Sequence, residues 1–314
     1  MGLVELLCVV LLAVGLGLRR RAGPLTQWRR DAFGVFFGAW LGEQSCIACY
    51  DFYRYDPAWH GWLGHVPVLI PAIWIFVVLS ARDVARALAG ATASPLPLAF
   101  LVIACDAALI EPIATHAGLW RWTQPGPFAV PWIGMLGWAL YGGAALAWLE
   151  WLPAGRRWLV ALLAPLSTHA LLLALWWGCL RWVLRDRPAD ATVALAAWLL
   201  ALGAVLALWR TRRLGAVPLG LLLPRMPPAV FFFGLLAATR AGAGLVAYAL
   251  AFAVPWLGMT AWRKDGWISP ESAEKPRVSP PPSPATKVVA SGSAPAAPAP
   301  PAARARPPGA PSPQ

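Results

Sequence analysis

The sequence predicts an all-α protein, a polytopic membrane bundle of about eight to nine transmembrane helices with a disordered C-terminal tail. Apolar residues make up 59% of the chain and charged residues 13%, with a mean hydropathy of +0.59, so water is not the solvent for most of it. Apolar runs able to cross about 30 Å of hydrocarbon, which takes roughly 20 helical residues, recur along the first 265 residues. From about Ser269 the chain changes to "PPPSPATKVVASGSAPAAPAP" and similar sequence, which has too few large apolar residues to bury a core. The expected division is therefore a transmembrane domain over 1–265 and a disordered, Pro/Ala/Ser-rich cytoplasmic tail over 266–314.

The runs fall at 3–18, 32–49, 66–81, 94–112, 128–150, 158–180, 191–209, 218–239 and 241–262, the eighth interrupted by Arg225, Pro227 and Pro228. Basic residues follow alternate runs: Arg19, Arg20, Arg21, Arg29 and Arg30 after the first, Arg82 and Arg86 after the third, Arg156 and Arg157 after the fifth. Arg210, Arg212 and Arg213 follow the seventh, and Arg263 and Lys264 the ninth. The positive-inside rule then sets the N-terminus outside a cell membrane and the C-terminus in the cytoplasm. Arg181, Arg185 and Arg187 run against this order, partly offset by Asp186 and Asp190. The first run has its arginines after it, the reverse of a secretory signal, so it reads as a retained helix. "MGLVEL" does not carry a myristoylation signal.

Several classes are excluded. The net charge of +12 sits in the inner loops and the tail, which points to anionic membrane lipid rather than nucleic acid. Neither a phosphate-binding loop nor a dinucleotide fingerprint is present, and no GxSxG marks a nucleophile elbow. The five cysteines include one C-x-x-C, Cys46 and Cys49, without the second pair that a zinc site needs. Four histidines are too few for a di-iron oxidase, and all three lysines lie at or beyond the last run, leaving none for a helix-borne Schiff base. No metal and no cofactor is expected. "VPWIGMLGW" (130–138) and "VPWLGMTAW" (254–262) match closely, but their prolines enter differently placed helices, so packing explains them better than a repeat.

Three carboxylates fall within or at the end of apolar runs, where each costs about 2.5–3.5 kcal/mol to insert. Glu43 and Asp106 lie eleven and twelve residues from the inner ends of the second and fourth runs, roughly 16–18 Å along a helix. They are expected at one level, with Glu111 above. The outer loops over them, "YDFYRYDPAWHGWLGH" and "THAGLWRWTQPGPF", carry Asp51, Asp56, His60, His65 and His116 among aromatic residues. Together they predict an acid-bearing aromatic cavity opening toward one face of the bilayer. Two readings stand beside it: tryptophans gather at membrane interfaces as anchors, and intramembrane acids also serve as helix contacts.

The stretch "CDAALIEPIATHAGLWRWTQPGPFAVPWIGMLGW" (105–138) resembles the membrane-bound carotenoid biosynthesis family, which includes hydratases of γ-carotene and bisanhydrobacterioruberin. The family pattern is approximately D-x-x-x-D-P, G-L-W-x-W and G-x-Y-x-G-V-P-x-x-N-F-x-G-W. Here Glu111 and Pro112 occupy the D-P position of the first element, with Asp106 as the earlier acid one residue further away than the pattern has it, Gly118, Leu119, Trp120 and Trp122 match the second, and Val130, Pro131, Gly137 and Trp138 the third. Gly134 stands in place of Asn, Phe128, one residue out of register, in place of Tyr, and Glu111 in place of Asp. "FGAWLGEQSCIACYDFYRYDP" extends the resemblance upstream, to cover roughly residues 30–150.

The resemblance implies acid-catalysed hydration of a terminal C=C of an acyclic carotenoid, a hydro-lyase reaction on an isoprenoid. Asp106 or Glu43 would donate the proton, and Glu111 would position the water or take its proton. Trp120, Trp122, Trp138, His116, Asp51 and Asp56 are the expected substrate-binding residues. The partners implied are a lipophilic carotenoid, membrane lipids and other pigment-synthesis enzymes. A carotenoid end-group cyclase and a non-catalytic transporter or scaffold are the alternatives.

Overall fold

The structure, a computed structural model, describes residues 1–21, 25–90, 93–184 and 188–261. The expected tail, Arg263, Lys264 and the 185–187 part of the contrary loop lie outside the described residues. Among the described residues nine long helices follow the nine apolar runs: α1 Gly2–Arg21, α2 Leu25–Tyr50, α3 Leu69–Ala89, α4 Leu96–His116, α5 Trp132–Trp151, α6 Ala154–Val183, α7 Asp190–Arg210, α8 Leu219–Ala238 and α9 Ala243–Ala261. Seven of them are long and apolar enough to cross a membrane. α2 and α3 match them in length, at 26 and 21 residues, but carry Glu43 and Gln44, and Arg82, Asp83 and Arg86, in the relevant stretch. Both pack inside the bundle, α2 between α3 and α6 and α3 against α4, where polar side chains can meet protein instead of lipid.

Small residues and prolines shape the bundle locally. A Cβ on Gly34 of α2 would lie 2.8 Å from the Arg157 carbonyl oxygen of α6, so the two backbones approach as closely as only glycine allows. Pro112 within α4 has no N–H to offer the carbonyl of Ala108 one turn earlier. Tyr248 of α9 supplies the missing donor, its hydroxyl 2.8 Å from that oxygen. α8 is broken by a 3-10 turn at Leu223–Arg225, where Pro224 and then Pro227 and Pro228 interrupt the regular helix.

Two ion clusters brace the helices. Asp31 at the start of α2 is 1% exposed and accepts from Gln27, Arg82 and Arg157, each at 2.8 Å. It gathers the basic ends of α3 and α6 onto α2, as alternating helix directions require. Asp106 of α4 pairs with Arg225 of α8, whose guanidinium also donates to Ser80 Oγ at 2.6 Å and lies over the Trp256 ring.

At the opposite end of α2 the chain after Tyr50 folds back as short strands: β1 Tyr53–Tyr55, β2 Trp62–Leu63 and β3 Val66–Pro67, with β4 Trp120–Trp122 following α4. β1 and β4 pair antiparallel, Tyr53 opposite Trp122 and Tyr55 opposite Trp120. β2 pairs with β3. Trp40 and Gln44 of α2 hold this cap through the Leu63 carbonyl and the His65 N–H.

Candidate functional site

The strand period of two decides which side chains of the cap face inward. In "YRY" and "WRW" Arg54 and Arg121 are exposed, while Tyr53, Tyr55, Trp120 and Trp122 turn toward the bundle. Beneath them lies a cavity of about 110 Å³ whose walls come from α2 to α6, with Cys8 of α1 and Phe231 and Phe232 of α8 completing one side. Its lining is mostly apolar, and two carboxyl groups, Glu43 and Glu111, stand in it.

Each carboxyl is cupped by three aromatic donors. Glu111 Oε2 accepts from Trp120 Nε1 and Trp122 Nε1, both at 2.8 Å, and its Oε1 accepts from Trp138 Nε1 at 2.7 Å. Glu43 Oε2 accepts from the hydroxyls of Tyr53 and Tyr55, and its Oε1 from Trp74 Nε1 at 2.8 Å. The cups interlock, with the rings of Trp74 and Trp138 at 4.5 Å and those of Tyr53 and Trp122 at 4.8 Å. A carboxylate offers about four lone-pair sites. Two are filled on each Oε2 and one on each Oε1, so the free site on both glutamates belongs to Oε1.

The two cups differ chemically. An indole N–H only donates, so Glu111 can only accept from its three partners. A phenol donates or accepts, so Tyr53 and Tyr55 can turn to receive a proton held by Glu43. The pair therefore combines one acid whose cup serves both protonation states with one held as an acceptor.

Of the residues singled out in the sequence, Glu43, Glu111, Trp120, Trp122 and Trp138 line this cavity. Asp106 is not among its lining residues, its carboxylate being taken up by Arg225. The expected level of Glu43 with Asp106 is replaced by a level of Glu43 with Glu111, because α2 begins at Leu25, seven residues before its apolar run. Counted from the helix starts, Glu43 lies about 27 Å along, Glu111 about 22 Å and Asp106 about 15 Å. His116 is exposed at the end of α4, and Asp51 is exposed and paired with Arg54 at 2.9 Å. Asp56 caps the Ala58 N–H at 2.7 Å, and none of these three lines the cavity. Tyr53, Tyr55, Trp74 and His169 line it without having been singled out as binding residues. The matched alternation of "YRY" and "WRW" was the available signal for the tyrosines. Cys46 and Cys49 are free thiols, and among the described residues no group of three or more His, Cys, Asp or Glu is placed to hold a metal ion.

The departure at Gly134 has a structural reason. A Cβ there would lie 2.5 Å from the six-membered ring of Trp122, so the indole fills the space that the family's asparagine side chain would need.

Fold and site together define a helical membrane protein that keeps two carboxyl groups inside an apolar, aromatic cavity. Residues 49–202 match the carotenoid biosynthesis protein family, a stretch that carries Glu111 and all three of its indole donors. Glu43 lies just before the matched stretch. No curated protein and no solved structure matches the chain.

Proposed function

We propose that the protein hydrates a terminal C=C of an acyclic carotenoid by acid catalysis. The observation that carries this reading is the pair of aromatic cups, which holds two glutamates of unlike hydrogen-bonding character in one apolar cavity. Glu43, in its acid form, protonates the alkene CH of the end group and leaves a tertiary carbocation. Glu111, as the carboxylate, supplies the opposite charge, and the rings of Trp74 and Trp138 stabilise the cation through their quadrupoles. Water adds to the cation, and loss of its extra proton gives the tertiary alcohol. Asp106 has no part in this chemistry and holds α8 to α4.

The cavity's size supports an end-group reaction. At about 110 Å³ it is smaller than the roughly 300–1,000 Å³ of a site for a whole drug-sized ligand, so it suits the tip of a long polyene. Entry is lateral, between α1 and α8. Both contribute to the cavity wall, and each buries only 11% of its apolar window, the smallest share among the seven apolar helices. The cap faces outward and the end bearing Arg82 and Arg157 faces the cytoplasm, following the positive-inside order.

The test is pigment analysis by chromatography and mass spectrometry in bacteria accumulating lycopene or γ-carotene, with Glu43→Gln as the control. A product heavier by one water, absent with the variant, is expected. An isomer of unchanged mass would make the protein a cyclase, and unaltered pigment from well-inserted protein would overturn the catalytic reading on these substrates.

A further inference from the structure

A second cavity, of about 290 Å³, lies at the other end of the bundle from the cap, between α1, α3 and the start of α8. Leu18, Phe76, Leu79 and Leu221 give it apolar walls. Gly15 lets α1 come down on Phe76, since a Cβ there would lie 2.7 Å from the ring. Three charged side chains also line it, Arg19 of α1 and Asp83 and Arg86 of α3. Arg86 is answered by Glu150 of α5 at 3.5 Å. Arg19 and Asp83 are answered neither by each other nor fully by anything else.

Arg19 has no hydrogen bond and no ion pair among the described residues. Its Nε is closed off by packing, so the donors left to it are the N–H groups of its two terminal nitrogens. Asp83 meets only Arg82 Nε, at 3.6 Å, and that arginine already donates to Asp31 at 2.8 Å. A carboxylate offers about four lone-pair sites. None on Asp83 receives a hydrogen bond from the described residues, and its side chain is 33% exposed, so the oxygens stay open. A lone anion in the cavity would attract Arg19 and repel Asp83, and a lone cation the reverse. A group carrying a phosphate and a primary ammonium satisfies both. The apolar walls add room for a hydrocarbon chain, and charged pockets between transmembrane helices are where lipid headgroups dock.

We propose that this cavity binds a phosphatidylethanolamine-type lipid from the leaflet that the basic helix ends face. Its phosphate meets Arg19, its ammonium meets Asp83, and an acyl chain runs along Leu18, Phe76 and Leu79. Ser80, whose oxygen accepts from Arg225 at 2.6 Å, keeps its own hydroxyl proton for a phosphate or ester oxygen. A choline headgroup has no N–H to give Asp83, and a glycerol headgroup has no cation, so the ammonium decides which phospholipid is held. The bound lipid ties α1, which buries only 11% of its apolar window, to α3 and α8. The inference is independent of the hydration reading.

The test is native mass spectrometry of the full-length protein in detergent, titrated with phosphatidylethanolamine, phosphatidylcholine or phosphatidylglycerol of identical acyl chains. One phosphatidylethanolamine should be held about 10-fold more tightly than either of the others, as one more hydrogen bond to a charged group provides. Asp83→Asn should bring it down to the level of phosphatidylcholine, and Arg19→Gln should weaken all three lipids. Arg19→Gln breaks no polar contact of the fold, so it carries the test alone if the Asp83 variant does not accumulate. Any order of affinity in which phosphatidylethanolamine is not first, or an order and strength unchanged in either variant, would overturn the proposal. Soluble phosphoethanolamine binding as tightly as the lipid would also overturn it, by assigning the cavity to an aqueous zwitterion.

Discussion

Replacing Gly134 by alanine tests whether Trp122 is positioned by the close approach of α5. The new Cβ would lie 2.5 Å from Trp122 Cζ2 and 2.7 Å from Cη2, where ordinary contact needs about 3.5–4.0 Å. The indole must therefore retreat by about 1 Å. A retreat of that size stretches the 2.8 Å bond from Trp122 to Glu111 beyond hydrogen-bonding range. Losing a hydrogen bond to a charged group costs about 1.5–3 kcal/mol, whereas alanine in place of a helical glycine returns about 1 kcal/mol. Gly134→Ala should be destabilising by about 0.5–2 kcal/mol in detergent unfolding, and pigment conversion should fall by up to about 10²-fold, as expected for a 1 Å misplacement at an active site. In a Trp122→Phe background the clashing six-membered ring and the bond are both absent, so the same substitution should be neutral or mildly stabilising. The double-mutant cycle should thus show a coupling of about 1.5–3 kcal/mol. Additive effects would refute the claim that Gly134 acts through the indole.

Three further perturbations probe the frame around the cavity. Asp106→Asn leaves the buried Arg225 without its counter-charge and should destabilise by about 3–5 kcal/mol, while the apolar pair Asp106→Leu with Arg225→Met should recover most of that and retain conversion per folded molecule; loss of conversion in a stable double variant would return Asp106 to the chemistry. Tyr248→Phe removes the donor to the Ala108 carbonyl and should cost about 1 kcal/mol in unfolding experiments. In a Pro112→Ala background the restored helical N–H should make it neutral, and an equal cost in both backgrounds would contradict that account. Asp31→Asn should destabilise the bundle by about 3–5 kcal/mol by leaving Arg82 and Arg157 facing each other, measured as loss of the folded monomer on heating in detergent; a change below 0.5 kcal/mol would count against the clamp.

Much of the candidate site was legible in the sequence. Glu111 stood out because a carboxylate at the end of an apolar run needs a reason, and the G-L-W-x-W element placed Trp120 and Trp122 near it. Glu43 was found on the same ground. What failed was depth. The run beginning at residue 32 marks where hydrocarbon-compatible sequence starts, whereas the helix itself begins at Leu25, and the missing two turns move Glu43 from the level of Asp106 to that of Glu111. Arg225 appeared only as an interruption of a span, since nothing in a linear pattern says that a charge in one helix will meet an acid 119 residues away. His169 gave no local signal at all. Its place at the cavity comes from packing, which sets its Nε2 2.8 Å from Ser45 Oγ, 124 residues away.

The sequence by itself determined the class of protein, the approximate number and the order of its helices and the resemblance to the carotenoid biosynthesis family, because these follow from composition, apolar run length and contiguous motifs. Hydrophobic length is a local property, and it survives whatever the helices do next. Only the tertiary structure decided which acids share a cavity, because the hydrogen bonds that cup Glu43 and Glu111 reach from other segments of the chain, Trp74 to α2 and Trp138 to α4. Whether a carboxyl becomes a reactive group or half of a structural ion pair depends on which donors surround it, and those donors are chosen by packing.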